Sequence, residues 1–161
     1  MINVRLLTNE KTEVVKEEFY NLFGQNINQL ARLDIKIILG DFNAKVGKED
    51  IYKPIIGNES LHKETNNGIK MIQFTISKGF NVRSTTFPHK DIHKDTWYSA
   101  NGRTANQIDH VFISTRFRNA ISDNKALREP DNLLKINFKV KETVKTEKKY
   151  EKKRGPRWHS G

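Results

Sequence analysis

Cysteine is absent from the 161 residues. That excludes disulfides and thiolate metal sites at once. It suits a reducing compartment, and an intracellular chain is expected. No apolar run approaches the roughly 20 residues of a membrane span, so no membrane partner is expected. The opening MINVRLLTNEKTEVV lacks the long apolar stretch of a secretory signal. Internal repeats are missing too. Acidic residues are scarce relative to basic ones: 19 Asp+Glu stand against 29 Lys+Arg, for a net charge of +10. From Lys139 onward nine basic and three acidic residues leave +6, so the body up to Phe138 carries the remaining +4. Much of the excess is therefore a tail. A solvated charged tail and a polyanion partner are both compatible with it.

What is present reads as one domain with a real core. INVRLL alternates and predicts a short strand. Glu10 to Leu33 places Val15, Phe19, Leu22, Phe23, Ile27 and Leu30 at helical spacing. DIKIILG predicts a strand whose Ile35, Ile37, Ile38 and Leu39 are covered on both faces. Residues 44–65 are polar and loop-like. NNGIKMIQFTISKG predicts a helix with Asn66 as cap and Gly79 as stop. FNVRSTTF follows as a strand ended by Pro88. DTWYS and NQIDHVFIS read as strands flanking the turn signal Asn101-Gly102. LLKINFKV alternates as a last strand, with Leu134, Ile136, Phe138 and Val140 on one side. Beyond Lys141 the chain is charged and poor in apolar residues, and a disordered basic tail over residues 141–161 is expected. The mixed order of strands and two helices predicts an α+β fold, with sheets packed together and helices outside.

KIILGDFNAKVG, residues 36–47, is the most informative stretch. A buried strand stops at Gly40 and delivers Asp41, Phe42 and Asn43. Alternation along an extended chain would point Asp41 and Asn43 one way and Phe42 the other, into the core. A carboxylate can orient water or hold a divalent cation, and an amide can donate to a phosphoryl oxygen. Gly-Asp and Asn after a strand are also ordinary turn residues. From these residues alone the turn and the site stay as alternatives.

ILGDFNAKVG, DTWYS and NQIDHVFIS, in this order, resemble the endonuclease/exonuclease/phosphatase superfamily with its DNase I-like fold. The chain is most similar to LINE-type retrotransposon endonuclease domains and the related craniofacial development protein 2-like proteins. The likeness runs from about Ile2 to Val140 and implies a DNase I-like β-sandwich flanked by helices over residues 1–140. It implies Mg²⁺-dependent hydrolysis of phosphodiesters in nucleic acid, DNA rather than RNA. By position, Asp41 would orient the attacking water and contribute to the metal site. Asn43 would hold the scissile phosphate, Thr96 would contact the nucleic-acid backbone, and Asp109 would orient a catalytic histidine.

The departures from that pattern shape the functional expectation. No residue matches the metal-binding glutamate of an early strand, and the N-terminal strands of the family have no counterpart, so an incomplete fold is expected. The Ser-Asp-His that precedes the last strand in the family is replaced by LREPDNLLKINFKV, where Asp131 is the sole candidate remnant. Metals and acid–base groups each contribute on the order of 10²-fold or more. The expectation is therefore a truncated, degenerate nuclease domain with little or no turnover; the alternative is a non-catalytic nucleic-acid-binding remnant. Asp109 and His110 are neighbours on a strand and cannot both face one cleft, so His110 is read as structural. Trp97 is read as core or cleft wall, and His62, His89 and His93 as surface histidines. The KKYEKKR cluster is a candidate nuclear address.

Overall fold

The computed structural model describes residues 1–5, 12–128, 134–141 and 148–152. A four-stranded sheet lies at its centre, in the order β1-β2-β6-β3, from β1 (Ile2–Arg5), β2 (Ile37–Asp41), β3 (Phe80–Val82) and β6 (Asp109–Ser114). β1 runs parallel to β2, whereas β6 is antiparallel to both β2 and β3. β2 is central, and its apolar residues divide between two cores as a doubly covered strand requires. Ile38 joins Phe42, Phe80, Val82 and Phe112 on one face. Ile37 and Leu39 join Val111 and Ile113 on the other.

The first face is covered by two helices, α1 (Glu13–Asn28) and α2 (Asn66–Ser77). Phe19, Phe23 and Ile27, spaced four apart, form the inward stripe of α1. Thr12 caps α1 by accepting the Val15 N–H at 3.4 Å. The cap of α2 is Thr65 rather than Asn66: its hydroxyl accepts the Gly68 N–H, and Asn66 is the first helical residue. Gly79 takes φ +71 after α2, the left-handed stop expected of glycine.

The second face packs on a three-stranded antiparallel sheet of β7 (Ile121–Arg128), β8 (Leu134–Val140) and β9 (Lys148–Lys152). Ile121, Ile136 and Phe138 fill the space between the sheets. The result is a sandwich with helices on its outer face, a mixed α/β arrangement matching the expected class. Two expectations are corrected here. β7 had no counterpart in the hydrophobic pattern, because a register shift between Ile121 and Asp123 breaks the alternation. The tail is not wholly without structure, because Lys148–Lys152 adds a strand to β8 through backbone hydrogen bonds, which need no apolar side chains.

The segments around the motifs are shorter than their patterns. FNVRSTTF is strand only over β3 and then turns. NQIDHVFIS serves two sheets. Ala105–Asn106 (β5) closes a small hairpin with Trp97–Tyr98 (β4), while Asp109 begins β6. Gly102 sits at the hairpin tip with φ +69, as the Asn-Gly signal requires.

Candidate functional site

The opposed ends of β2 and β6 bring the motifs together. Asp41 is the register partner of Asp109, so the two carboxylates leave the same face of the sheet side by side. Phe42 is fully buried against Phe23 and Phe112, as the alternation predicts. The extended geometry ends there. Asn43 has φ +45, a left-handed conformation that asparagine tolerates, and its N–H donates to Asp41 Oδ1 at 2.9 Å. This is an Asx turn. The chain turns at Asn43, and strand alternation does not extend to it. The same turn keeps Asn43 beside Asp41.

The backbone after Asp41 is held from two sides. From α2, Asn67 Nδ2 donates to the Asn43 carbonyl at 3.1 Å, and Thr65 exchanges hydrogen bonds with Lys45. From β6, His110 Nε2 lies 2.7 Å from the Ala44 carbonyl. A carbonyl only accepts, so Nε2 carries the proton. His110 Nδ1 must then accept, and the Ser84 hydroxyl donates to it at 2.9 Å. The ring is 0% exposed. Burial pushes its pKa down to about 4, and this outweighs the opposing pull of the Ala44 hydrogen bond and of Asp41. His110 is thus a neutral, structural imidazole, as expected from its strand position.

Thr96 is tied into the fold by its own side chain. It is only 6% exposed, and its hydroxyl accepts the N–H groups of Ile108 and Asp109 at 2.9 and 3.0 Å. The hydroxyl satisfies the backbone where the hairpin hands over to β6, and so fixes the start of the strand that carries Asp109. Asp109, 1% exposed, lines a small polar cleft with Ser84, His93, Lys94, Thr96 and Asn124. The Lys94 ammonium there is 2.9 Å from Glu59 Oε2.

Residues without a motif complete the surroundings. His62 is half-buried, and its Nε2 accepts the Gln107 N–H at 2.9 Å. Burial, then Lys45, holds its pKa below the usual histidine value. His89 Nε2 sits 2.6 Å from Asp123 Oδ1. Both histidines depart from the free surface positions expected of them. Trp97 is 40% exposed, on the rim rather than in the core. No sequence signal marks Ser84, Asn67 or His62, because the partners they hold, the His110 ring, the Asn43 carbonyl and the Gln107 N–H, are brought close only by folding. Asp131 lies outside the described residues.

The described residues do not make a complete magnesium site. One Asp41 oxygen is engaged by the Asn43 N–H. Among the described residues no group of three or more His, Asp or Glu side chains is arranged to hold a metal ion. A small hard cation needs several oxygen ligands at once, and the described side chains do not gather them.

No protein-family model matches the chain. Craniofacial development protein 2 of Bos taurus and that of Tragulus javanicus are each 29% identical to it over 116 residues, 72% of this chain. The match covers 19% and 20% of those proteins, so the chain spans about a fifth of the length of these curated relatives. Among solved structures, the endonuclease domain of TRAS1, a telomere-specific non-LTR retrotransposon, superposes with a TM-score of 0.53 at 12% identity. That match covers 77% of this chain and 51% of the other. The 3'-5' exonuclease NExo from Neisseria meningitidis gives 0.58 at 16% identity, over 86% of this chain and 59% of that one. The 3' phosphatase NExo from Neisseria, bound to a product DNA hairpin, gives 0.56 at 19% identity, covering 86% and 60%. The chain is a sequence relative of craniofacial development protein 2 built on the fold of the DNase I-like endonucleases and exonucleases.

Proposed function

We propose that this chain engages a nucleic-acid backbone at the Asp41–Asn43 turn and turns over phosphodiesters slowly or not at all. The observation that carries this reading is the protonation chemistry of the imidazole nearest the turn. Both nitrogens of His110 are committed, one to Ala44 and one to Ser84. An imidazole so engaged has no lone pair for a water and no proton for a leaving oxygen. Asp41 and Asp109 supply carboxylates at the paired strand ends, but a general base also needs an acid or an electrophile across the phosphate. What the turn does offer is Asn43, whose carboxamide can donate to a phosphoryl oxygen, with Lys45 two residues away. DNA is the favoured polymer, since one neighbour of this fold holds a DNA hairpin. The net charge of +10 supports capture of a polyanion. Among the described residues no helix is long and apolar enough to cross a membrane.

Two assays on the purified chain decide between binding and catalysis. Anisotropy of a labelled DNA duplex is expected to show binding that weakens steeply with added salt, as phosphate contacts require, and that weakens again in Asn43→Ala. Nicking of supercoiled plasmid in Mg²⁺, beside Asp41→Ala, is expected to show little difference between the two proteins. Strong nicking by the parent that is lost in Asp41→Ala would restore the enzyme reading. Absence of DNA binding would remove both.

A further inference from the structure

We propose that His110 is a positioning residue for the Asp41–Asn43 turn, a pin that holds the Ala44 carbonyl just beyond the turn and thereby aims the Asn43 carboxamide. What it positions rests on the nucleic-acid reading above; the pin itself rests on geometry alone. Asn43 occupies a left-handed conformation, which for a non-glycine residue persists only where the surroundings hold it. Its N–H is taken by Asp41, its carbonyl by Asn67 Nδ2, and the next carbonyl, that of Ala44, by His110 Nε2. Three constraints therefore hold two adjacent residues, Asn43 and Ala44, from β2, α2 and β6. The β6 constraint is the shortest of the three, at 2.7 Å, and lies in a site without solvent to compete for it.

The Ala44 carbonyl makes the pin directional. Because it can only accept, it fixes the proton on Nε2, and the Ser84 hydroxyl then donates to the remaining Nδ1. Ser84 also lines the cleft of Asp109, and its carbonyl accepts from Gln107 Nε2 at 3.0 Å. The chain Gln107, Ser84, His110, Ala44 thus links the cleft on one face of the sheet to the turn that carries Asn43. Within it His110 accepts at Nδ1 and donates from Nε2, so the ring joins Ser84 on one side to Ala44 on the other.

Three measurements test it. Nitrogen-resolved NMR of the histidine rings is expected to show His110 as the Nε2–H tautomer with Nδ1 unprotonated at neutral pH; the opposite tautomer would overturn the proposal. Amide exchange at Asn43–Lys45 is expected to quicken about tenfold in His110→Phe, which keeps an apolar ring but neither hydrogen bond. It should return toward the parent rate in His110→Gln, whose amide N–H can again reach Ala44. Affinity for a short labelled DNA duplex is expected to follow the same order, falling about tenfold in His110→Phe and recovering in His110→Gln. Unchanged exchange refutes the pin. A loosened turn with unchanged affinity refutes the positioning role. A parent that binds no DNA overturns the functional reading and the positioning role together, and the exchange measurement then still reports on the pin. Should His110→Phe not fold, Ser84→Ala leaves the imidazole in place and removes only its orienting donor. It is expected to quicken exchange at the same three residues, and no change there would count against the relay.

Discussion

Acid should unfold this protein partly through one residue, and the size of the effect follows from the structure. His110 is fully buried and neutral, and its pKa drops from 6.5 to about 4. In the unfolded chain the same ring regains its ordinary value. Between these two values the unfolded state therefore binds a proton that the native state refuses, so stability rises with pH across the window. The contribution is fully present above about pH 6.5 and is lost progressively as the pH falls toward 4. Two and a half units at 1.36 kcal/mol each amount to about 3 kcal/mol over the whole window. That is a substantial share of the 5–15 kcal/mol typical of a folded domain. The assay is urea unfolding followed by tryptophan fluorescence at about pH 7 and about pH 4.5, on the parent and on His110→Gln. Other groups titrate in this range, His62 and the carboxylates among them, but they are common to both proteins and cancel in the comparison. The fall in stability between the two pH values is expected to be smaller in His110→Gln by about 2.5 kcal/mol. An equal fall in both proteins would refute the claim that burial holds this imidazole neutral.

Thr96→Val should cost about 2 kcal/mol or more, because it leaves the buried N–H groups of Ile108 and Asp109 without their acceptor. Thr96→Ser should recover most of that loss in the same denaturation assay. A valine variant of unchanged stability but weakened DNA binding would instead assign Thr96 to the nucleic acid. Gly68→Ala is expected to destabilise by about 1–3 kcal/mol, since a Cβ there would overlap the Lys45 carbonyl oxygen where α2 meets the turn. Unchanged urea midpoints would show that this approach is looser than described.

The site and its support were legible to different degrees. Asp41, Asn43, Thr96 and Asp109 stand out because motif and order mark them, and the register of β2 against β6 does bring Asp41 and Asp109 together. The turn at Asn43 could be named as an alternative but not chosen, because Asp-x-Asn after a strand fits an extended chain and an Asx turn equally well. The choice falls to the contacts made by Asn67 and His110, residues 24 and 67 positions further along the chain. The motif marked Thr96 but not its bonds, because the two backbone donors that it serves at the hairpin exit are brought to it only by folding. Ser84, His62 and Gln107 carried no signal at all, since a hydrogen bond to a group distant in the chain leaves no periodic trace.

Local chemistry by itself determined a good deal about this protein. Lack of cysteine, the charge excess, the doubly apolar strand around Ile38, the helical stripe of Phe19, Phe23 and Ile27, and the Asn-Gly turn all follow from side-chain size, polarity and backbone preference over a few residues. Tertiary structure alone decided three further matters. It made strands of Ile121–Arg128 and Lys148–Lys152, whose pairing comes from backbone hydrogen bonds to β8 rather than from their own pattern. It buried His110 and so settled its charge, since desolvation depends on what packs around the ring and not on its neighbours in sequence. And it bent the chain at Asn43, because a left-handed residue is stable only where contacts from separate elements hold it in place.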